Sequence, residues 1–351
     1  MTMPVRLLAL ETAVPSHQVT QAEVRAVAQA AFAPVLPEYD RLEALFDTAG
    51  VSRRFFARPL DWYVGDPGWP ERQAAFLEVA STLLDDVAAR ALVTAGLTVG
   101  DVDQVVCVST TGFPTPTLEA RLIHRLGLPP RARRTPVFGW GCAGGALGLG
   151  RAAELARATP GEVVLLLVVE LCSLAFRADP DPVNVVGAAL FGDAAVAAVL
   201  CAGEGEDSRA GPRVIASGEH TWPDTLDIMG WRIDPIGFGL QLRRDLPGFL
   251  DRELRVAVDD FLGRCGVPLN SFAGVVAHPG GPKVLDAAAH ALDLPIEALA
   301  LSRAVLADYG NTSATSVLLV LDRACRTGSV GRHLLLALGP GFSAGLVMLE
   351  L

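Results

Sequence analysis

Thr135-Pro136-Val137-Phe138-Gly139-Trp140-Gly141-Cys142-Ala143-Gly144-Gly145 is a short strand-like run that breaks into glycines around one cysteine. Small residues then continue at helical spacing over residues 143–157. A strand that turns through glycine into a helix is the repeating unit of layered α/β proteins. A cysteine at such a turn faces free backbone N–H groups and the positive end of a helix dipole. Both favour the thiolate and are expected to pull its pKa below the free value of about 8.5. The same segment also reads as a tight turn around a small buried cysteine.

Two later segments bear on that choice. Residues 271–277, Ser-Phe-Ala-Gly-Val-Val-Ala, form a buried-strand run that ends in His278-Pro279-Gly280-Gly281-Pro282. Asp308-Tyr309-Gly310-Asn311-Thr312-Ser313-Ala314 then heads an apolar helix. Alone, His278 reads as a strand-end histidine and Asn311 as a helix N-cap. Together with Cys142 they supply a thiol nucleophile, a base and an amide donor, each at the end of an element where side chains converge.

Outward from these segments the chain alternates. Strand-like runs fall at residues 104–109, 163–169, 194–200, 213–217, 272–277, 333–338 and 345–351. Helical periodicity covers 71–95, where Phe76, Ala80, Leu83, Val87 and Ala91 recur about once per turn, and also 249–264 and 312–326. The aromatic-rich stretch 61–72 reads as a loop. Residues 202–212, polar and glycine-rich, read as a boundary that divides the chain into halves 1–205 and 206–351. The first half carries Cys142, and the second carries His278 and Asn311.

Composition removes several function classes. At 351 residues the chain buries a large core. Its hydrophobic content is 51 %, yet no apolar run approaches the ~20 residues of a membrane span. No secretory leader is read at the N-terminus. A net charge of −10 argues against nucleic acid. The six cysteines are scattered without metal spacing, so no zinc site is expected, and reduced thiols in a cytoplasm fit best.

The segments GCAGG at Cys142, AHPGGP at His278, YGNTSATS at Asn311 and Gly339-Pro340-Gly341-Phe342-Ser343 resemble the signature segments of type III polyketide synthases, the chalcone-synthase-like condensing enzymes. Gly187-Ala188-Ala189-Leu190-Phe191-Gly192-Asp193 resembles their gatekeeper segment, and residues 8–15 their first strand. The resemblance covers essentially the whole chain. It implies a thiolase-like five-layer αβαβα fold built of two similar halves, a homodimer, and no metal or organic cofactor. Malonyl-CoA and an acyl-CoA starter would be the substrates.

It also implies roles. Cys142 would carry the acyl chain, His278 would pair with it as imidazolium, and His278 and Asn311 would stabilise the enolate of decarboxylated malonyl-CoA. Phe191 would gate the coenzyme A tunnel, with Gly187 shaping the cavity beside it. Ser313 caps the next helix or lines the pocket, and Gly280 and Gly281 would contact substrate.

The chain departs from the plant pattern at several points. Leu240 replaces a second gating phenylalanine, although Phe238 could serve. Thr115 replaces a methionine that crosses into the neighbouring subunit. Of three basic residues that hold coenzyme A only Arg41 matches, with Arg53, Arg54 and Lys283 as substitutes. Trp231 lies where an aromatic starter would sit. A small Thr115 and a leucine gate imply a fatty acyl starter and an alkylpyrone or alkylresorcinol product. A ketoacyl-ACP synthase III and a cysteine hydrolase are the competing expectations.

Overall fold

Apolar strands alternate with helices through residues 3–203 and 211–351, the part of the chain that the computed structural model describes. Nine strands form the main sheet: β1 (Val5–Ala13), β2 (Val102–Val108), β3 (Arg133–Val137), β4 (Val163–Leu171), β5 (Asp193–Ala202), β6 (Arg213–Thr221), β7 (Gly274–Ala277), β8 (Arg332–Gly339) and β9 (Ser343–Glu350). Their spatial order is β7-β8-β9-β6-β1-β5-β4-β2-β3. β1 and β6 meet through only two residue pairs, Val5–Val214 and Arg6–Arg213. The nine strands are therefore two sheets joined at a narrow seam, one from each half of the chain.

Helices clad them, among which are α1 (Trp69–Thr94), α2 (Gly144–Ala158), α3 (Pro182–Leu190), α4 (Leu246–Cys265), α5 (Pro282–Ala291) and α6 (Ala314–Arg326). α1 and α3 pack on the outer face of the first sheet. α2 and α6 lie between the sheets, where both halves share one core. α4 and α5 cover the outer face of the second sheet. The layers read helix, sheet, helix, sheet, helix, as expected.

The sequence explains the central layer. β4 is Val-Val-Leu-Leu-Leu-Val-Val-Glu-Leu and is buried at every position, as a strand covered on both faces must be. α2 is made of glycine, alanine and leucine because α6 runs against it. A Cβ built on Gly145 would stand 2.1 Å from the Ala314 carbonyl oxygen.

Some expectations shift. Residues 61–72 are largely helical: Leu60–Val64 forms one turn, and α1 begins at Trp69, where Glu71 accepts from the Gly68 N–H at 2.8 Å. Phe191 caps the end of α3. The hairpin Met229–Asp234 and Gly237–Leu242 was not foreseen, because its glycines and charges break the alternation that marks a strand. Of the expected boundary at 202–212, residues 204–210 lie outside the described part. No described helix is long and apolar enough to cross a membrane.

Candidate active site

Cys142 sits where β3 turns into α2. Gly141, one residue earlier, has φ +45°, and a Cβ there would meet Pro340 Cδ at 2.6 Å, so the loop needs glycine. Gly141 donates its N–H to Thr110 Oγ1 at 3.0 Å, which fixes the turn from the β2 side. His278 follows the last residue of β7, and its backbone N–H donates to the Leu336 carbonyl at 2.8 Å. Asn311 precedes α6. Its Oδ1 accepts from the Ser313 N–H at 2.9 Å, and its Nδ2 donates to the Gly280 carbonyl at 3.2 Å. Ser313 has φ +52°, a left-handed backbone that this side-chain bond supports.

These three element ends meet at one cavity of about 90 Å³, whose wall includes Cys142, His278, Asn311, Ser313, Gly280 and Phe191. The hairpin supplies Trp231 and Leu240. A second cavity of about 30 Å³ lies beside the first, and Gly187 lines it. Cys172, Phe191, Trp231 and Leu240 line both and so form the wall between them. Phe191 meets Trp231 edge to face at 6.0 Å. Behind Trp231 comes Phe238 at 5.5 Å, so Leu240, not Phe238, stands opposite Phe191 on the cavity wall.

The remaining expected residues lie elsewhere. Gly281 is buried at the start of α5 and lines neither cavity. Thr115 is exposed in the loop between β2 and β3. Arg41 is exposed on the short helix Tyr39–Leu42. Arg54 cannot substitute as a coenzyme A ligand, because it is fully buried and bonded to backbone carbonyls.

Electrostatics correct one expectation. The Cys142 thiol touches the cavity but lies deep in the molecule, and burial pushes its pKa up to about 11. Hydrogen bonds from Ser313 and Asn311 act in the opposite sense but are outweighed. Burial also pushes His278 down to about 3, and neither ring nitrogen has a partner. Burial thus favours the neutral thiol and the neutral imidazole over the expected ion pair.

Sequence reasoning missed Cys172 and Glu170. Glu170 is fully buried at the end of β4, where its Oε2 accepts from the Thr110 N–H at 3.0 Å and from the Thr111 hydroxyl at 2.8 Å. The signal was present: it is the one charge in an otherwise apolar strand.

Residues 2–204 match the family described as chalcone and stilbene synthases, N-terminal domain, and residues 214–350 match its C-terminal domain. The chain belongs to the chalcone and stilbene synthase family. It is similar to a 1,3,6,8-tetrahydroxynaphthalene synthase of Streptomyces peucetius subsp. caesius, with 40 % identity over 97 % of this chain and 92 % of that one. A putative chalcone synthase of Bacillus subtilis is 33 % identical over 97 % of both chains. The crystal structure of 1,3,6,8-tetrahydroxynaphthalene synthase from Streptomyces coelicolor, a bacterial type III polyketide synthase, superposes with a TM-score of 0.92. That match has 29 % identity and covers 98 % of this chain and 99 % of that one. This type III polyketide synthase thus has the thiolase-like fold, and its family makes polyketides from coenzyme A thioesters.

Proposed function

We propose that this type III polyketide synthase condenses malonyl units on Cys142 and cyclises them to a polyhydroxylated aromatic without an alkyl tail. The observation that carries the chemistry is the shared cavity of Cys142, His278 and Asn311. Cys142 passes its proton to His278, and the thiolate attacks the thioester carbonyl of the starter. The carbon–sulfur bond to coenzyme A breaks, and the departing thiolate takes the proton back from His278.

A malonyl thioester then loses carbon dioxide. Its electron pair becomes an enolate, whose oxygen receives hydrogen bonds from the His278 N–H and Asn311 Nδ2. The enolate carbon attacks the acyl carbonyl, a carbon–carbon bond forms, and the Cys142 thiolate is released. The lengthened chain now sits on coenzyme A and returns to Cys142 for the next round.

One relative supports a product built from two-carbon units alone. The S. peucetius relative is named for a naphthalene with hydroxyls at carbons 1, 3, 6 and 8. That spacing is what two-carbon condensation produces, since each step sets a carbonyl on every second carbon.

The test is product profiling by mass spectrometry with malonyl-CoA alone and with starters from acetyl to stearoyl. Naphthol-type products from malonyl-CoA alone are expected. Efficient alkylpyrone or alkylresorcinol formation from long chains, with nothing from malonyl-CoA alone, would restore the fatty acyl starter expected from sequence.

A further inference from the structure

Arg54 lines neither cavity and is fully buried. It stands on the short strand Arg53–Phe56. Its Nη1 donates to the carbonyls of Ala188 at 2.8 Å and Phe191 at 2.9 Å, and its Nη2 donates to Gln21 Oε1. The two carbonyls belong to the last turn of α3 and its cap. The N–H that would continue the helix onto Ala188 is that of Gly192, and it donates instead to the Asn311 carbonyl at 3.0 Å. The Asn311 N–H in turn donates to the Leu190 carbonyl at 2.7 Å.

The two backbones cross closely. A Cβ on Gly192 would stand 2.2 Å from the Tyr309 carbonyl oxygen and 3.2 Å from Arg54 Cβ. Leu190 and Gly192 are thus bonded to Asn311, and Phe191 between them is bonded to Arg54.

The charge on Arg54 is answered by Asp193, one residue beyond that crossing. Asp193 accepts from the Ala57 N–H at 2.7 Å and the Ser173 N–H at 2.7 Å. Ser173 adjoins Cys172 in the wall between the cavities. Burial drives Arg54 and Asp193 each toward its neutral form, and each charge partly offsets the other's shift. A buried charge interaction of this kind adds little stability over apolar residues of similar volume. A planar guanidinium with parallel donors does supply a fixed geometry, which a single ammonium does not.

We propose that Arg54 is a positioning residue for the condensation, holding the Leu190–Gly192 crossing so that Phe191 and the Asn311 amide face the cavity together. The proposal rests on the roles given above to Asn311 and Phe191.

Its test uses Arg54→Lys and the double variant Arg54→Met/Asp193→Asn in the full-length protein, with Asn311→Ala as control. Three readings are taken: thermal unfolding, alkylation of Cys142 by iodoacetamide, and release of carbon dioxide from malonyl-CoA. At least one Arg54 variant is expected to fold and decarboxylate about 10²-fold more slowly, the loss typical of a group misplaced by an ångström, with a smaller loss in alkylation. Its kcat should fall more than its KM rises. A folded Arg54 variant that decarboxylates like wild type, beside an impaired Asn311→Ala, overturns the proposal alone. Failure of both variants to fold also overturns it, because Arg54 is then a stability residue. Wild-type decarboxylation by Asn311→Ala overturns the underlying role of Asn311 instead.

Discussion

Cys142, His278 and Asn311 could be read from the sequence because each ends an element and is flanked by residues with a backbone reason to be there. Glycines surround Cys142, Pro279-Gly280-Gly281 follows His278, and Gly310 precedes Asn311. Their protonation states could not be read, since burial depends on residues far along the chain. The thiol at about 11 and the imidazole at about 3 make a defined expectation. Alkylation of Cys142 in the substrate-free enzyme should rise about tenfold per pH unit through neutral and alkaline pH, as the thiolate fraction does below its pKa. A rate flat across neutral pH would mean a standing thiolate–imidazolium pair. Asn311→Ala should slow malonyl-CoA decarboxylation by about 10²–10³, the cost of one lost oxyanion donor, and slow alkylation less, through the lost hydrogen bond that lowers the Cys142 pKa. Equal losses in both would remove Asn311 from that role.

At the scale of elements, most strands of the main sheet and the helices α1, α2, α4 and α6 followed from the sequence pattern, whereas β1 came only from the resemblance, and α3 and the hairpin did not follow. α3 is a nine-residue run, Pro-Val-Asn-Val-Val-Gly-Ala-Ala-Leu, apolar on nearly all sides, and its pattern does not distinguish a buried helix from a strand. The hairpin carries Trp231 and Leu240 into the cavity wall through contacts that no local pattern encodes. The α2–α6 contact gives a direct prediction. Gly145→Ala should cost about 1–3 kcal/mol in urea unfolding, because its methyl group would stand on the Ala314 carbonyl.

β4 gives another. Burial raises Glu170 from 4.5 to about 8, so the folded protein holds this proton more tightly than the unfolded chain does. The contribution is full below about 4.5 and is lost as pH rises toward about 8. Glu170→Gln has no proton to lose, so its stability relative to wild type should climb through that window. A difference constant with pH would contradict the raised pKa.

For the whole molecule, the polar, glycine-rich stretch 202–212 suggested two halves, but nothing in the sequence showed their dependence on each other. The central core draws Leu149, Ala152 and Leu166 from the first half and Val317, Leu321 and Leu335 from the second. Separating the halves would expose that face to water on both pieces. Residues 1–203 produced alone should therefore aggregate or unfold without a cooperative transition, and co-expression with residues 211–351 should restore one, as followed by circular dichroism. A first half that melts cooperatively by itself would show that the seam, not the core, joins the molecule. The proposed catalytic set spans this division, since Cys142 comes from one half and His278 and Asn311 from the other.

The residue that holds the acyl chain decides the mechanism. The direct measurement is peptide mass spectrometry of Asn311→Ala after incubation with malonyl-CoA, since slowed decarboxylation leaves the loaded enzyme to accumulate. The predicted result is an acyl group on the peptide that contains Cys142, absent when Cys142→Ala is added. An acyl group on Cys172, which lines the same cavity, or turnover with no acyl-enzyme at all, would contradict it.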